Sequence, residues 1–236
     1  RTNPTDYNDF GKNVNACIVI GSPGANGIMA LGEILNGDVN PSGHTVDTVY
    51  TNYKNDPTWQ NFGDNTVTNG NHYLKQDGSD AKQFYVEYEE NIYLGYRYYE
   101  TRGHIDGENW YSSNVVYPFG YGLSYTTFEY SNASVSNDGK NISVSVDVKN
   151  TGAATGKEVV EIYVSAPGKT MEKPVQELKA YAKTNKLAAG EAQTIKVSFP
   201  VADLASFNEA ASAWEVEAGT YSVKIGSSSR DIKASA

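Results

Sequence analysis

Residues 141–165 decide the fold of this chain. They contain the alternating run NISVSVDVK at 141–149, a turn at Asn150-Thr151-Gly152, and a second apolar run, KEVVEIYVS, at 157–165. Alternation of apolar and polar residues is typical of a strand that buries one face. Runs of the same texture, separated by turns such as Asn137-Asp138-Gly139, predict further strands at 128–136, 175–184, 192–200, 212–217, 220–226 and 230–234. The pattern therefore predicts an antiparallel β-sandwich of about seven strands.

The half before the sandwich has a different texture. The apolar run NVNACIVIG at 13–21 predicts a strand buried on both faces, and Cys17 within it is expected to be a small buried residue. Apolar residues at helical spacing predict a helix over 28–35 that ends at Gly37, and HTVDTVY at 44–50 predicts a second strand. This is one strand–helix–strand unit of an open α/β sheet.

One such unit cannot cover both faces of its own sheet, so we expect the rest of an α/β domain to lie outside the chain or to dock on it. The fold class is therefore α/β plus all-β: a partial α/β sandwich unit with long loops at 1–123, then a β-sandwich at 124–236. Charge supports this division, because residues 1–123 hold 7 Lys and Arg against 15 Asp and Glu, within a net charge of -9 for the chain. The sandwich half has no cysteine pair, which leaves the fibronectin III-like variant rather than a disulfide-linked immunoglobulin domain.

Between the two halves lies a region rich in tyrosine. Six tyrosines fall between residues 85 and 99, and the aromatic-glycine run YPFGYGLSYT follows at 117–126. A helix is predicted over 88–100, with polar loops at 51–82 and 101–114 on either side. Tyrosine has a flat apolar face and a hydroxyl, so it suits a half-wet interface or a polyhydroxylated ligand. Tyr96 and Tyr99 are expected to form interface core, and Arg97 to pair with a carboxylate or stack on a ring.

Several classes of function are excluded or disfavoured. The negative charge argues against nucleic acid, and no apolar segment approaches the roughly 18 residues of a membrane-spanning helix. The three histidines, His44, His72 and His104, lack metal-ligand spacing, so neither a metal nor another cofactor is expected. The glycines at 21, 24 and 27 have the wrong spacing for a dinucleotide fingerprint and indicate a tight strand–helix turn instead. Secretion and cytoplasmic location both stay open.

Three motifs carry a resemblance to a known family. The runs ALGEILNGDVNPSGHTVDT at 30–48, YEENIYLGYRYYET at 88–101 and VVYPFGYGLSYTTFEYS at 115–131 resemble the C-terminal region of glycoside hydrolase family 3, the β-glucosidase family. The VKNTG segment at 148–152 and WEVEAGTYSVKIG at 214–226 are similar to the fibronectin III-like domain that follows in that family. Two departures are the histidine and threonine after Gly43, where relatives commonly have Arg-Leu-Pro, and the long stretch 51–82.

The resemblance implies retaining hydrolysis of terminal β-linked glucose or a related sugar, with a β-glucoside or oligosaccharide as substrate. It also implies an aspartate nucleophile from a TIM barrel and a glutamate acid/base from the α/β sandwich domain. No segment here matches either motif, so no catalytic residue is assigned. The partner would be the remainder of the enzyme, as a second chain or as another segment, and a permuted domain order stays open.

Four residues are candidates for the rim of the active site: Trp59, Trp110, Asp106 and Glu108. They lie in the two predicted loops and combine aromatic faces with carboxylates, as sugar sites do. Packing of these loops on the barrel is the alternative interpretation. An alternative function for the whole chain is a non-catalytic carbohydrate-binding or scaffolding module, with tyrosines 85–99 and Trp110 as an aromatic platform.

Overall fold

The structure is a computed structural model that describes residues 15–61, 73–74, 80–81 and 90–236. The predicted strand residues 13–14, the helix start at 88–89, His72, and the tyrosines 85 and 88 lie outside this part of the chain. The described helices are α1 (Gly24–Asn36), α2 (Pro57–Asn61), α3 (Tyr96–Asp106) and α4 (Glu108–Asn114), with 3-10 turns at Tyr53–Asn55 and Val201–Leu204. None of them is long and apolar enough to cross a lipid bilayer.

Short strands accompany the helices in the first half. They are β1 (Val49–Tyr50), β2 (Tyr73–Leu74), β3 (Asp80–Ala81) and β4 (Val115–Tyr117). The second half contains β5 (Phe128–Asn137), β6 (Asn141–Asn150), β7 (Val159–Ser165), β8 (Glu177–Lys183), β9 (Ala192–Pro200), β10 (Ser206–Asn208), β11 (Ala213–Glu215), β12 (Ser222–Gly226) and β13 (Ile232–Ser235).

The predicted sandwich is confirmed. A four-stranded sheet in the order β13-β12-β7-β8 faces a three-stranded sheet in the order β5-β6-β9, and every pairing is antiparallel. The alternation in β6 places all four of its apolar side chains in the core, opposite the inward residues of β7 and β12. The members of this core that are contributed by those three strands are Ile142, Val144, Val146, Val148, Val160, Ile162, Val164, Val223 and Ile225. The strand predicted at 212–217 pairs with β10 in a separate hairpin instead.

The strand–helix–strand unit is only partly confirmed. Helix α1 is present, and the C-cap Gly37 has the left-handed φ of 85° that favours glycine. Residues 16–23 form no strand, and their apolar side chains, including Cys17, are exposed rather than buried. The physical reason is that no described strand lies beside this run, so its backbone has no ladder to join.

The second predicted strand, 44–50, is reduced to the two residues of β1. This strand pairs antiparallel with β4 rather than in a parallel α/β sheet. At the start of that segment, Thr45 exchanges backbone hydrogen bonds with Tyr121 (2.8 Å) and Gly120 (2.9 Å) instead. The backbone of the aromatic-glycine run therefore pairs with residue 45, where the sequence predicted a neighbouring strand of an α/β sheet.

The predicted helix 88–100 and loop 101–114 are displaced. Residues 90–95 form turns, α3 begins after Gly95 at φ 60°, and α4 begins after Gly107 at φ 90°. Residues 101–114 are therefore largely helical rather than loop. The stripe of Ile92, Tyr96 and Tyr99 predicted the helix, and only its last part, 96–100, lies in α3. The rest of α3 and all of α4 have few aliphatic side chains, so no apolar pattern indicated them. In the predicted loop 51–82, the described residues contain α2 and the β2–β3 pair.

Candidate functional site

The structure places the rim candidate Trp59 on α2, with its side chain 49% exposed. Its ring meets the edge of Tyr53 at a centroid distance of 4.5 Å. The carboxylate of Asp56 caps this helix, because Oδ1 accepts hydrogen bonds from the backbone N–H groups of Thr58 (3.0 Å) and Trp59 (3.4 Å). Trp59 is therefore held at the surface by a capped helix.

Trp110 lies in an aromatic cluster rather than on an open platform. Its ring is 6.2 Å from Tyr98 and 6.4 Å from Tyr99, and the Arg102 guanidinium stands 5.8 Å above it. Tyr99 is 3% exposed and stacks on Tyr50 at 5.5 Å. These contacts confirm Tyr99 as interface core and leave Trp110 half-buried.

Asp56 links the helix of Trp59 to the aromatic cluster of Trp110. This role was not predicted from the sequence. Tyr99 donates a hydrogen bond from its hydroxyl to Asp56 Oδ2 at 2.9 Å, so one buried carboxylate ties α2 to the aromatic cluster. Burial and the neighbouring Asp56 charge raise the pKa of the Tyr99 hydroxyl, which stays protonated and able to donate. The signal was present in the sequence, since an aspartate directly before proline is typical of a helix N-cap.

Asp106 and Glu108 are exposed, and both are paired. Asp106 forms an ion pair with Arg102 one turn earlier on α3, at 2.5 Å. Glu108 pairs with Arg230, which lies between β12 and β13 of the sandwich. Glu108 therefore links the helical region to the sandwich, whereas the Asp106 pair stays within α3.

A second carboxylate that the sequence did not single out is Glu100, which is 2% exposed. It accepts hydrogen bonds from the Tyr111 hydroxyl (2.6 Å) and the Ser229 hydroxyl (2.8 Å), and Arg230 lies 3.5 Å away. Burial raises the pKa of Glu100, and these donors and the Arg230 charge oppose that rise. Arg230 also stacks on the Tyr111 ring at 4.0 Å, so helices α3 and α4 and the sandwich share one network.

The other face of α3 docks on strand β8 and the loop before it. The Tyr96 hydroxyl accepts from the Leu178 backbone N–H at 2.8 Å, and the Thr101 hydroxyl accepts from the Val175 N–H at 3.0 Å. Arg97 pairs with Glu177 at 2.9 Å and lies over the Tyr96 ring. The interface role of Tyr96 and the pairing of Arg97 are confirmed.

The first part of the aromatic-glycine run, residues 117–122, covers the outer face of β7. Phe119 stacks on Tyr96 at 4.4 Å, and its carbonyl accepts from the Ser229 N–H at 3.0 Å. Gly120, at φ 81°, approaches so closely that a Cβ there would lie 2.2 Å from Glu161 Oε2. This close contact explains why β7 is buried on both faces.

Histidine contributes no metal centre in the described residues. His44 packs beside Gly122, and burial together with the Lys183 charge lowers the pKa of its imidazole. His104 is exposed on α3. No group of three or more potential ligands occurs in the part of the chain that the structure describes.

The side chains of this site form an interface between the helical region and the sandwich. The carboxylates of Asp56 and Glu100 are buried and hydrogen-bonded by the chain itself, and those of Asp106 and Glu108 are ion-paired. These groups hold elements together and are already occupied as acceptors. Chemistry on a sugar would need carboxyls that are free to meet it.

Comparison with known proteins defines the class. The family model of the glycosyl hydrolase family 3 C-terminal domain matches residues 1–125, and that of the fibronectin type III-like domain matches residues 158–229. The chain therefore belongs to glycosyl hydrolase family 3, and the predicted resemblance and fold class are confirmed.

Individual relatives agree with this assignment. The chain is 37% identical to β-glucosidase B of Emericella nidulans over 93% of its own length and 24% of the relative. It is 33% identical to an exo-α-(1→6)-L-arabinopyranosidase of Bifidobacterium longum, over 94% of the chain and 26% of the relative. The structure of β-glucosidase 3B from Thermotoga neapolitana in complex with glucose is 42% identical, with a TM-score of 0.72, over 87% of this chain and 25% of that one. The chain thus spans about a quarter of the relatives that it matches.

Proposed function

We propose that this chain is the structural C-terminal portion of a β-glucosidase-type enzyme that removes terminal β-linked glucose by a retaining two-carboxylate mechanism. The observation that carries the proposal is the 42% identity and TM-score of 0.72 to a β-glucosidase whose structure contains glucose. The catalytic carboxyls belong to a part of the enzyme outside this chain. In support, the carboxylates around the candidate site already serve as caps and interface acceptors.

The apolar surface of the first half supports a docked remainder. Exposed aliphatic side chains lie along the run 16–23, on α1 and beyond it; they are Ile18, Val19, Ile20, Ile28, Met29, Leu35, Val46 and Leu123. Such a concentration of exposed apolar surface marks an interaction site. The partner that we propose is the rest of the α/β domain and a barrel, either as another segment or as a second chain.

Two further assignments belong to this proposal. The boundary between the parts falls between residues 123 and 124, next to the segment where the Asn40 side chain accepts from the Tyr125 N–H at 2.8 Å. Trp59, Trp110, Asp106 and Glu108 lie toward the rim of the active site. Exposure of Trp59 and Glu108 supports this role for those two residues.

The test is hydrolysis of an aryl β-glucoside and an aryl α-L-arabinopyranoside, by the 236-residue chain alone and within its longer polypeptide. We expect the longer polypeptide to hydrolyse the glucoside and the chain alone not to hydrolyse it. The β-anomer of the product glucose should appear first in a proton NMR time course. Turnover by the chain alone would contradict the proposal, as would release of the α-anomer. In the longer polypeptide, Trp59→Ala should raise KM for oligosaccharides more than for the aryl glycoside if Trp59 lies on the rim.

A further inference from the structure

Glu161 is a buried carboxylate in the middle of β7, with 5% of the residue exposed. Apolar residues alternate around it, and Val160 and Ile162 enter the sandwich core, so Glu161 points to the opposite face. That face is closed by the aromatic-glycine run, with Gly120 against the carboxyl. Burial under this run leaves the carboxylate largely shielded from water.

In the part of the chain that the structure describes, Glu161 accepts one hydrogen bond and forms no ion pair. On its own strand, the Tyr163 hydroxyl donates to Oε2 at 2.6 Å, and Glu158 adds a second negative charge nearby. From α3, Tyr96 stands edge-on to Tyr163, and the Glu100 charge also acts on that tyrosine. Ionisation of Glu161 would therefore place an unpaired charge in a closed acidic interface.

The described cations near this face pair with other acceptors. Arg97 pairs with Glu177, and Lys224 donates to the Gln176 side chain at 2.8 Å. Arg230 pairs with Glu108 and lies beside Glu100. On the other side of Glu158, Lys233 pairs with Asp231 at 2.8 Å, and the Lys183 ammonium donates to the Ser42 carbonyl at 2.7 Å.

We propose that Glu161 is a pH-sensitive latch between the aromatic-glycine run 117–122 and the sandwich. When it is protonated, the run packs on β7, and the Phe119–Tyr96 stack holds α3 in place. When it ionises, the carboxylate gains free energy by meeting water, and the run separates from β7. The helical region then loosens from the sandwich while each sheet stays intact.

The direction and range of the effect follow from the titration of this group. Burial raises the pKa of Glu161 from 4.5 to about 7, with the Glu158 charge adding to the rise. The closed state thus binds a proton more tightly than the open state, so closure weakens as pH rises through this window. Between pH 5.5 and 8.5 the closing equilibrium constant should fall about 30-fold.

Hydrogen exchange with mass spectrometry on the 236-residue chain tests the latch, with rates corrected for the pH dependence of chemical exchange. In the parent chain, protection of peptides spanning 117–122 should fall between pH 5.5 and 8.5. Glu161→Gln should remove that loss, since a neutral amide cannot ionise. Glu129→Gln, on the exposed face of β5, is the matched control and should keep it.

A second variant separates the latch from a general effect on folding. Tyr163→Phe removes the donor that favours the ionised form, so the loss of protection should move to higher pH. The proposal is overturned if the parent chain shows no loss, if Glu161→Gln retains it, or if Tyr163→Phe moves it to lower pH. None of these readouts depends on hydrolytic activity, so the latch and the proposed function can fail separately.

Discussion

Single glycines and carboxylates determine how closely the two halves of this chain can approach each other. Gly120 and Glu161 form one such contact. A comparable buried contact lies within the sandwich itself, where the Glu158 carboxylate accepts from the Tyr130 hydroxyl at 2.8 Å. The sequence shows which residue types could form such contacts. It does not show their partners, because each pair joins positions about 30 to 40 residues apart.

Gly120→Ala should destabilise the chain through both backbone strain and a collision. Its φ of 81° disfavours a side chain, and the new Cβ would lie 2.2 Å from Glu161 Oε2. Glu161 is buried and hydrogen-bonded to Tyr163, so its side chain cannot move aside without losing that contact. We expect the free energy of unfolding to fall by about 3 kcal/mol in urea titrations. Gly139→Ala is the matched control, because Gly139 has a φ of 85° and nothing within 4 Å, and should cost about 1 kcal/mol. Equal losses of unfolding free energy in the two variants would contradict a contribution from the contact with Glu161.

Glu158 should make stability fall as pH rises. Burial raises the pKa of Glu158 from 4.5 to about 7, so the folded state holds a proton that the unfolded state has released between those values. Relative to the parent chain, Glu158→Gln should gain up to about 3 kcal/mol between pH 4.5 and 8, measured by urea unfolding. The exposed Glu129→Gln should show no such gain. A variant whose stability tracks that of the parent at every pH would refute the assignment.

At the scale of elements, alternation and turns were enough for the sandwich but not for the helical region. Strands β5 to β9 appear where period-two patterns predict them, because each has one face in a core that the chain itself supplies. The bounds of α3 were displaced and α4 was predicted as loop, because tyrosines and charged residues that dock on the sandwich give no aliphatic stripe. Long-range hydrogen bonds to β8 and to Ser229 define their positions instead.

Arg230→Ala should loosen these helices from the sandwich. The substitution removes the cation beside buried Glu100, the pair with Glu108 and the stack on Tyr111. A loss of about 3 kcal/mol is expected, because a buried carboxylate would be left uncompensated. Arg102→Ala removes an exposed ion pair within α3 and the contact with the Trp110 ring but leaves Glu100 paired, so it should cost no more than about 1 kcal/mol. Hydrogen exchange in peptides of α3 and α4 reads the effect directly, and similar exchange in both variants would contradict it.

At the scale of the whole molecule, the two halves differ in how completely they bury their apolar surface. The sandwich has a closed core, whereas α1 exposes Met29 and Leu35 at 73% and 69%. The sequence anticipated this, since a single α/β unit cannot cover both of its faces. The exposed side of α1 is where we expect the remainder of the enzyme to bind.

Met29→Glu combined with Leu35→Glu should reduce binding of a hydrophobic dye such as ANS to the isolated chain, and should weaken its self-association in sedimentation experiments. In the longer polypeptide, the same pair should impair assembly of the α/β domain. Tyr181→Glu changes an equally exposed aromatic on β8 of the sandwich and should leave both measurements unchanged. If the α1 variant binds dye as the parent does, this face is not the unpartnered surface.

The sequence by itself determined the sandwich, the α1 helix with its glycine stop and the family, since these depend on local periodicity and on motifs within short stretches. Only the tertiary structure showed where the tyrosine-rich region lies: it packs on the sandwich through contacts of Tyr96, Glu100 and Gly120. The reason is physical: a tyrosine or a buried carboxylate is stable wherever a partner satisfies it, and those partners come from distant parts of the chain.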